Sequence, residues 1–253
     1  MALLTVSGVS KAFGGLQALS DISLSVNAGE IFGLIGPNGA GKTTLFNTLT
    51  GLYSTDRGEI RINGTRLDGR KPHQVLKTGL ARTFQNIRLF AEMTALENVL
   101  VGRHARTRSG VFGAVLRLPA TRREEADSCE RAHALLARVG IAQHAERLAR
   151  NLSYGDQRRL EIARAMATDP TLLALDEPAA GMNPAERTAL RDLLLQLQAD
   201  GLTLILIEHD VKLVMGLCTR LAVLDYGVKI AEGTPDVVCR DPKVIAAYLG
   251  DEV

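Results

Sequence analysis

Three cysteines are all that this chain of 253 residues carries, and Cys129, Cys218 and Cys239 stand far apart without metal-ligand spacing. That scarcity excludes a disulfide scaffold and fits a reduced compartment, with the thiols serving as small apolar residues. Excess charge is equally scarce. A net charge of +2 gives no general drive toward nucleic acid, so no nucleic-acid partner is expected. Long hydrophobic runs are missing too: the strongest late one, Leu202 to Ile207, is too short to cross a bilayer. Met1-Ala2-Leu3-Leu4 passes straight into a strand pattern with no sign of a signal peptide. If the protein works at a membrane, its spanning partners are therefore other chains. Internal repeats and low-complexity tracts are absent as well.

Apolar residues make up 46% and charged residues 23%, the ordinary balance of a globular chain. The length suits one large α/β domain or two lobes sharing a core. Two early strands are predicted, around Leu4 to Val9 and Ile22 to Val26, joined by a turn at Gly14-Gly15. Residues 58–64 alternate apolar and polar side chains and end in Asn63-Gly64, a hairpin signal. From about Met93 to Arg150 strand patterning disappears. Within that stretch Cys129, Ala132, Leu136 and Val139 repeat at helical spacing, and Gly140 is a natural stop. A helical lobe inserted into the core is expected there. Leu172 to Leu175 and Leu202 to Ile207 are continuous apolar runs, as parallel strands buried on both faces require. Between them Asn183 suits a helix cap with Pro184 next, followed by the stripe Leu190, Leu193, Leu194 and Leu197.

Directly after the apolar segment Ile31 to Ile35 comes Gly36-Pro37-Asn38-Gly39-Ala40-Gly41-Lys42-Thr43-Thr44. This is the P-loop pattern G-x-x-x-x-G-K-[ST], and the chain has no second copy. Gly36, Gly39 and Gly41 permit positive φ, so successive backbone N–H groups can close around an anion. Lys42 is suited to the β- and γ-phosphates of a nucleotide and the Thr43 hydroxyl to Mg²⁺. The helix that follows adds its N-terminal dipole.

A bare P-loop serves kinases, GTPases and many ATPases, so other motifs must decide. The run from Leu172 ends in Asp176-Glu177, placing two carboxylates at the carboxyl edge of the sheet, where α/β folds bind ligands. Asp176 is suited to hold Mg²⁺ through water, and Glu177 to orient or deprotonate an attacking water. His209 follows strand 202–207 to the same edge, where it either donates to the γ-phosphate or serves structurally. Gln85, in Arg82-Thr83-Phe84-Gln85-Asn86, offers a neutral amide to Mg²⁺ and water where core meets helical lobe. Leu152-Ser153-Tyr154-Gly155-Asp156-Gln157 opens another helix. Ser153 is a good N-cap and Gly155 leaves the backbone open, making a second helix N-terminus suited to an anion.

Together these motifs resemble the ATP-binding subunit of ABC transporters, in the right order and over nearly the whole chain. Residues 36–44 match the family's Walker A, Gln85 its Q-loop, Leu152 to Gln157 its signature, Leu172 to Glu177 its Walker B with catalytic glutamate, and His209 its switch histidine. The resemblance implies an α/β fold: a P-loop NTPase (RecA-like) core with a small antiparallel β subdomain over 1–86 and 152–253, and a helical lobe over 87–151. It implies ATP and Mg²⁺ as ligands, with Thr43, Gln85 and Asp176 on the metal. It also implies a head-to-tail pair of subunits, in which Ser153 and Gly155 meet ATP held on the partner's P-loop, so that closure drives a permease. Phe13 falls where the family places an aromatic residue against adenine; a plain core phenylalanine is the other reading.

Two departures stand out. Gly181-Met182-Asn183 replaces the aspartate-bearing loop of many relatives, and Asp156 replaces the usual glutamine. Within the family, Leu-Ser-Tyr-Gly at 152–155, Ala179 to Pro184, Ile207 to Asp210, Ala81 to Phe90 and the ending Ala247-Tyr248-Leu249-Gly250 look like the larger ATP-binding subunit of high-affinity branched-chain amino-acid importers. Such a subunit pairs with a second ATP-binding chain, a different one in such systems with a second copy of itself as the alternative, beside two permeases and a substrate-binding protein, peripherally at the cytoplasmic face of the inner membrane. The competing readings are urea or amide import, lipid export, and a soluble repair or translation ATPase. From Arg103 to Arg123 there are six arginines and no acid, around the mostly apolar Val111 to Leu118. That segment suits either a permease or anionic headgroups, or a solvated loop packing its own apolar residues.

Overall fold

The computed structural model describes residues 2–106, 119–208 and 211–249. Two compact units divide the chain: residues 1–85, 171–180 and 187–253 form the first, and residues 86–170 and 181–186 the second.

The first unit holds two sheets. In the smaller, β1 (Ala2–Phe13) lies between β2 (Leu16–Asn27) and β4 (Arg57–Ile62), and β5 (Thr65–Arg66) forms the far edge, all antiparallel. Both early strands run well beyond the predicted cores, because long hairpins keep their backbone paired even where side chains turn polar. Asn63 and Gly64 form the predicted turn, at φ 47° and 75°, with Ile62 opposite Thr65. The larger sheet runs β10-β9-β3-β8-β7-β6, from β3 (Ile31–Ile35), β6 (Leu80–Arg82), β7 (Leu172–Asp176), β8 (Thr203–Ile207), β9 (Arg220–Asp225) and β10 (Val228–Gly233). Every pair is parallel except β9 with β10. All five residues of β3, β7 and β8 are buried, as continuous apolar runs require.

Helix α1 (Lys42–Leu49) follows the P-loop and sends Leu45, Phe46 and Leu49 into one cluster with Val6, Ile22, Ile60, Phe32 and Ile205. Both sheets thus share a core, which fixes the P-loop against the end of β3. Helix α2 (Pro72–Lys77) precedes β6.

The second unit is helical, built on α3 (Ala95–Arg103), α4 (Pro119–Arg138) and α5 (Tyr154–Met166). It takes in α5 as well as the 87–151 stretch. Ala132, Leu136 and Val139 are buried and Gly140 turns the chain at φ 77°. Asn98, wholly buried, accepts from the Phe90 amide at 2.9 Å and donates to the carbonyls of Phe90 and Thr94 at 3.0 and 2.9 Å. Helix α6 (Pro184–Ala199) begins as predicted: Asn183 Oδ1 accepts from the Glu186 amide at 2.9 Å, and Leu190, Leu193, Leu194 and Leu197 are buried. Helices α7 (Val211–Leu217), α8 (Pro235–Val238) and α9 (Pro242–Leu249) complete the described chain. No helix among the described residues is long and apolar enough to cross a membrane.

Arg103 and Arg106, at the start of the arginine-rich segment, turn to the end of α5. Arg106 donates from Nε to Thr168 O at 2.6 Å and from Nη2 to Asp169 O at 3.1 Å, and Arg103 pairs with the Asp169 carboxylate. Cations at a helix C-terminus satisfy its last carbonyls and favour its dipole. Val111 to Leu118 and Arg108 lie outside the described residues.

Candidate functional site

The P-loop leaves β3 at Gly36 and enters α1 at Lys42. Gly36, Gly39 and Gly41 sit at φ 145°, 81° and 99°. Two of them also have no room for a side chain: a Cβ would come 2.0 Å from Leu224 O at Gly36 and 2.7 Å from Ala18 O at Gly41. The loop's shape is therefore fixed both by dihedral and by close approach. Lys42 is buried, and its ammonium donates to the carbonyls of Gly36 and Pro37 at 2.7 Å each. Burial lowers its pKa from 10.5, while the nearby carboxylates of Glu177 and Asp176 oppose that shift.

The loop floors a cavity of about 520 Å³. Asn38, Gly39, Ala40, Gly41, Lys42, Thr43 and Thr44 line it, together with Gln85 and Glu177. Phe13, Leu16, Gln17 and Ala18 from the β1–β2 hairpin, and Tyr226 and Gly227 from the β9–β10 turn, complete the lining. Phe13 is 43% exposed and meets Tyr53 edge-on with centroids 5.1 Å apart, so it is not a core residue. The Lys11 ammonium lies over its ring, 5.4 Å from the centroid.

Parallel pairing of β6, β7 and β8 brings the remaining groups of this unit together. Asp176 ends β7 and is 1% exposed. Arg82, at the end of β6, donates to its Oδ2 at 2.8 Å and to Asn47 Oδ1 at 2.6 Å and Thr50 Oγ1 at 3.1 Å in and after α1. One guanidinium thus ties the acid strand to the P-loop helix. Glu177 follows at φ 47°, an uncommon backbone for a non-glycine residue, with its amide on Ile207 O at 3.0 Å. That turn carries the carboxylate to the cavity, where Gln85 Nε2 donates to Glu177 Oε2 at 3.1 Å. The buried Glu208 accepts from the Ala179 amide at 2.9 Å, pinning the chain just beyond Glu177. His209 lies outside the described residues.

Thr43 brings a hydroxyl and Gln85 an amide to the cavity, and the buried carboxylate of Asp176 ends the strand just before Glu177; these are the groups that could hold Mg²⁺. A sparse protein share of that kind suits an ion that keeps waters and takes phosphate oxygens. Among the described residues no cluster of three or more His, Cys, Asp or Glu forms a self-sufficient metal site.

Ser153 and Gly155 belong to the second unit. Ser153 caps α5: its Oγ accepts from the Asp156 amide at 3.2 Å and donates to Asp156 Oδ2 at 2.8 Å. Gly155 is packed so that a Cβ would lie 2.9 Å from Glu186 Oε1. Sequence reading missed Arg82 as the partner of Asp176, and Leu16 to Ala18 and Tyr226-Gly227 as cavity walls. Only the last pair carried a signal, a two-residue turn between apolar runs.

Residues 19–180 match the family described as ABC transporter, and residues 228–253 match the branched-chain amino acid ATP-binding cassette transporter family. The chain is 49% identical to the high-affinity branched-chain amino acid transport ATP-binding protein LivG of Salmonella typhimurium, over 98% of both chains. It is 46% identical to the corresponding BraF of Pseudomonas aeruginosa, again over 98% of each. The solved ADP conformation of an ATP-binding cassette of an ABC transporter superposes with a TM-score of 0.87 at 33% identity, covering 99% of this chain and 100% of that one. A P-loop fixed by close packing, two strand-end carboxylates beside it and a likeness along almost the full length converge: this chain belongs to the ABC transporter family, as one of its ATP-binding cassettes.

Proposed function

We propose that the chain hydrolyses ATP to energise uptake of branched-chain amino acids through partner permeases. The single observation that carries the hydrolytic part is the convergence of the P-loop, Gln85 and Glu177 on one cavity. The solute rests on the names of the relatives, since nothing in the cavity is built for an amino acid.

In this reading backbone amides of residues 36–44 and the Lys42 ammonium hold the phosphates, and Phe13 packs on adenine. Thr43, Gln85 and Asp176 hold Mg²⁺, which when bound supplies charge neutralisation at the β- and γ-phosphates. Glu177 accepts a proton from water as its oxygen attacks the γ-phosphorus, and ADP leaves. Gln85 orients that carboxylate. His209 is assigned to the γ-phosphate on resemblance alone. Ser153 and Gly155 face ATP on a second ATP-binding subunit, taken to be a different chain as in the larger-subunit systems. Two permeases and a substrate-binding protein complete the complex, with this chain peripheral at the cytoplasmic face of the inner membrane.

The test is reconstitution of the chain with its co-purifying permeases and binding protein in vesicles. Leucine, isoleucine or valine is expected to raise ATP hydrolysis and to accumulate inside. Stimulation by urea or an amide and by none of the three would assign another solute.

A further inference from the structure

The β9–β10 hairpin closes on two residues, Tyr226 and Gly227, with Asp225 opposite Val228. Both central residues have positive φ, 43° and 77°, the requirement of a type I′ turn. Asn-Gly and Asp-Gly are favoured in such turns because asparagine and aspartate tolerate the left-handed region, whereas a bulky side chain there is an outlier. The chain itself supplies the control. Its other two-residue hairpin of this kind is Asn63-Gly64, at φ 47° and 75°, and it does not border the cavity. Among the described residues Tyr226 is the one aromatic at positive φ, and the other large side chain in that state is Glu177. Both border the same cavity.

Position explains why the turn tolerates the tyrosine. Gly227 donates its amide to Ala40 O of the P-loop at 3.0 Å, and its carbonyl accepts from the Ser20 amide of β2 at 2.7 Å. A Cβ on Gly227 would lie 2.6 Å from Ala18 O, so the glycine is wedged between P-loop and hairpin. Tyr226 is held just outside that wedge, 88% exposed, on the wall of the cavity that Phe13 also lines. A ring left that open gains nothing for the fold.

We propose that Tyr226 is a nucleoside-contacting residue, presenting its ring to the base-and-ribose end of the nucleotide whose phosphates lie on the P-loop. The proposal rests on the nucleotide-binding reading above and adds an aromatic wall to Phe13. Stacking on a π-face, not a hydrogen bond from the hydroxyl, supplies the contact.

The experiment compares wild type, Tyr226→Phe and Tyr226→Asn by calorimetric titration with ATP and with inorganic tripolyphosphate, alongside thermal unfolding. Asparagine suits the turn better, so Tyr226→Asn is expected to melt higher, yet bind ATP at least about fivefold more weakly. Its affinity for tripolyphosphate should be unchanged, and Tyr226→Phe should match wild type with both ligands. Equal ATP affinity in Tyr226→Asn overturns the proposal. So does an equal loss for ATP and tripolyphosphate, which would make the turn a support for the P-loop. A wild-type chain that binds neither ligand would overturn the nucleotide-binding reading instead.

Discussion

Gln85 donates its side-chain amide to the Glu177 carboxylate across 3.1 Å, joining the residue three beyond β6 to the one directly after β7. The contact depends on the register of those strands, in which Arg82 stands opposite Ala174 and the Thr83 amide bonds Ala174 O at 2.9 Å. Glu177 thus gets its direction from two sources, its own positive φ and a neutral donor that leaves its charge intact. Glu177→Gln is expected to keep ATP affinity while turnover falls at least about a hundredfold, trapping a closed pair of subunits. Gln85→Ala leaves the base present but unaimed, so turnover should fall roughly tenfold to a hundredfold. Single-turnover hydrolysis beside equilibrium ATP binding separates the two. Near-normal turnover in Glu177→Gln would remove it as the base.

Arg82 is the buried counterpart of that arrangement. Its side chain is 9% exposed and that of Asp176 2%, and the same guanidinium also reaches Asn47 and Thr50. Deleting one member of a buried pair strands the other charge, so Arg82→Ala should cost about 3–5 kcal/mol in urea unfolding. Arg82→Lys keeps the charge but cannot fork to three acceptors, and should fall between the two. A loss under about 1 kcal/mol for Arg82→Ala would show that the pair is not structural.

Asp156 is engaged within its own helix turn. Its carboxylate accepts from the Ser153 hydroxyl at 2.8 Å and stands 3.8 Å from His144 Nε2. An acid in the first turn favours the helix by roughly 0.3–1 kcal/mol, yet it repels any phosphate brought to that N-terminus. Asp156→Gln is expected to raise the ATP affinity of the assembled pair modestly at low salt. The gain should shrink as screening increases. An affinity that does not change with salt would remove the repulsion.

Periodicity and motif were enough to read much of this molecule. Buried strands β3, β7 and β8 were legible because parallel strands covered on both faces leave unbroken apolar runs, and the Asn183 cap because its chemistry is local. The P-loop was legible because its glycines answer to backbone geometry that no other residue meets. Arg82 was not, since its role depends on which strand lies beside β7, and strand order is non-local. Tyr226 escaped for the same reason: a turn residue becomes a cavity wall only once β9 is placed beside β3. Gln85 was placed by motif, but its bond to Glu177 follows from register alone.

Lys42 gives the site a pH dependence whose sign follows from its surroundings. Burial lowers its pKa from 10.5, and the carboxylates of Glu177 and Asp176 only partly oppose this. Between the lowered value and 10.5 the unfolded chain binds more protons than the folded one, so this group's contribution to stability rises with pH across that window. Phosphate binding works in the opposite direction, because the anion favours the ammonium and raises its pKa. ATP affinity should therefore be full below the free-state pKa and decline as pH rises through it, with a proton taken up on binding in that window. Calorimetry in two alkaline buffers of different ionisation enthalpy reads that uptake directly. In Lys42→Arg, whose guanidinium stays protonated, the uptake should vanish even if affinity drops. Proton uptake that persists in Lys42→Arg would assign the titration to another group.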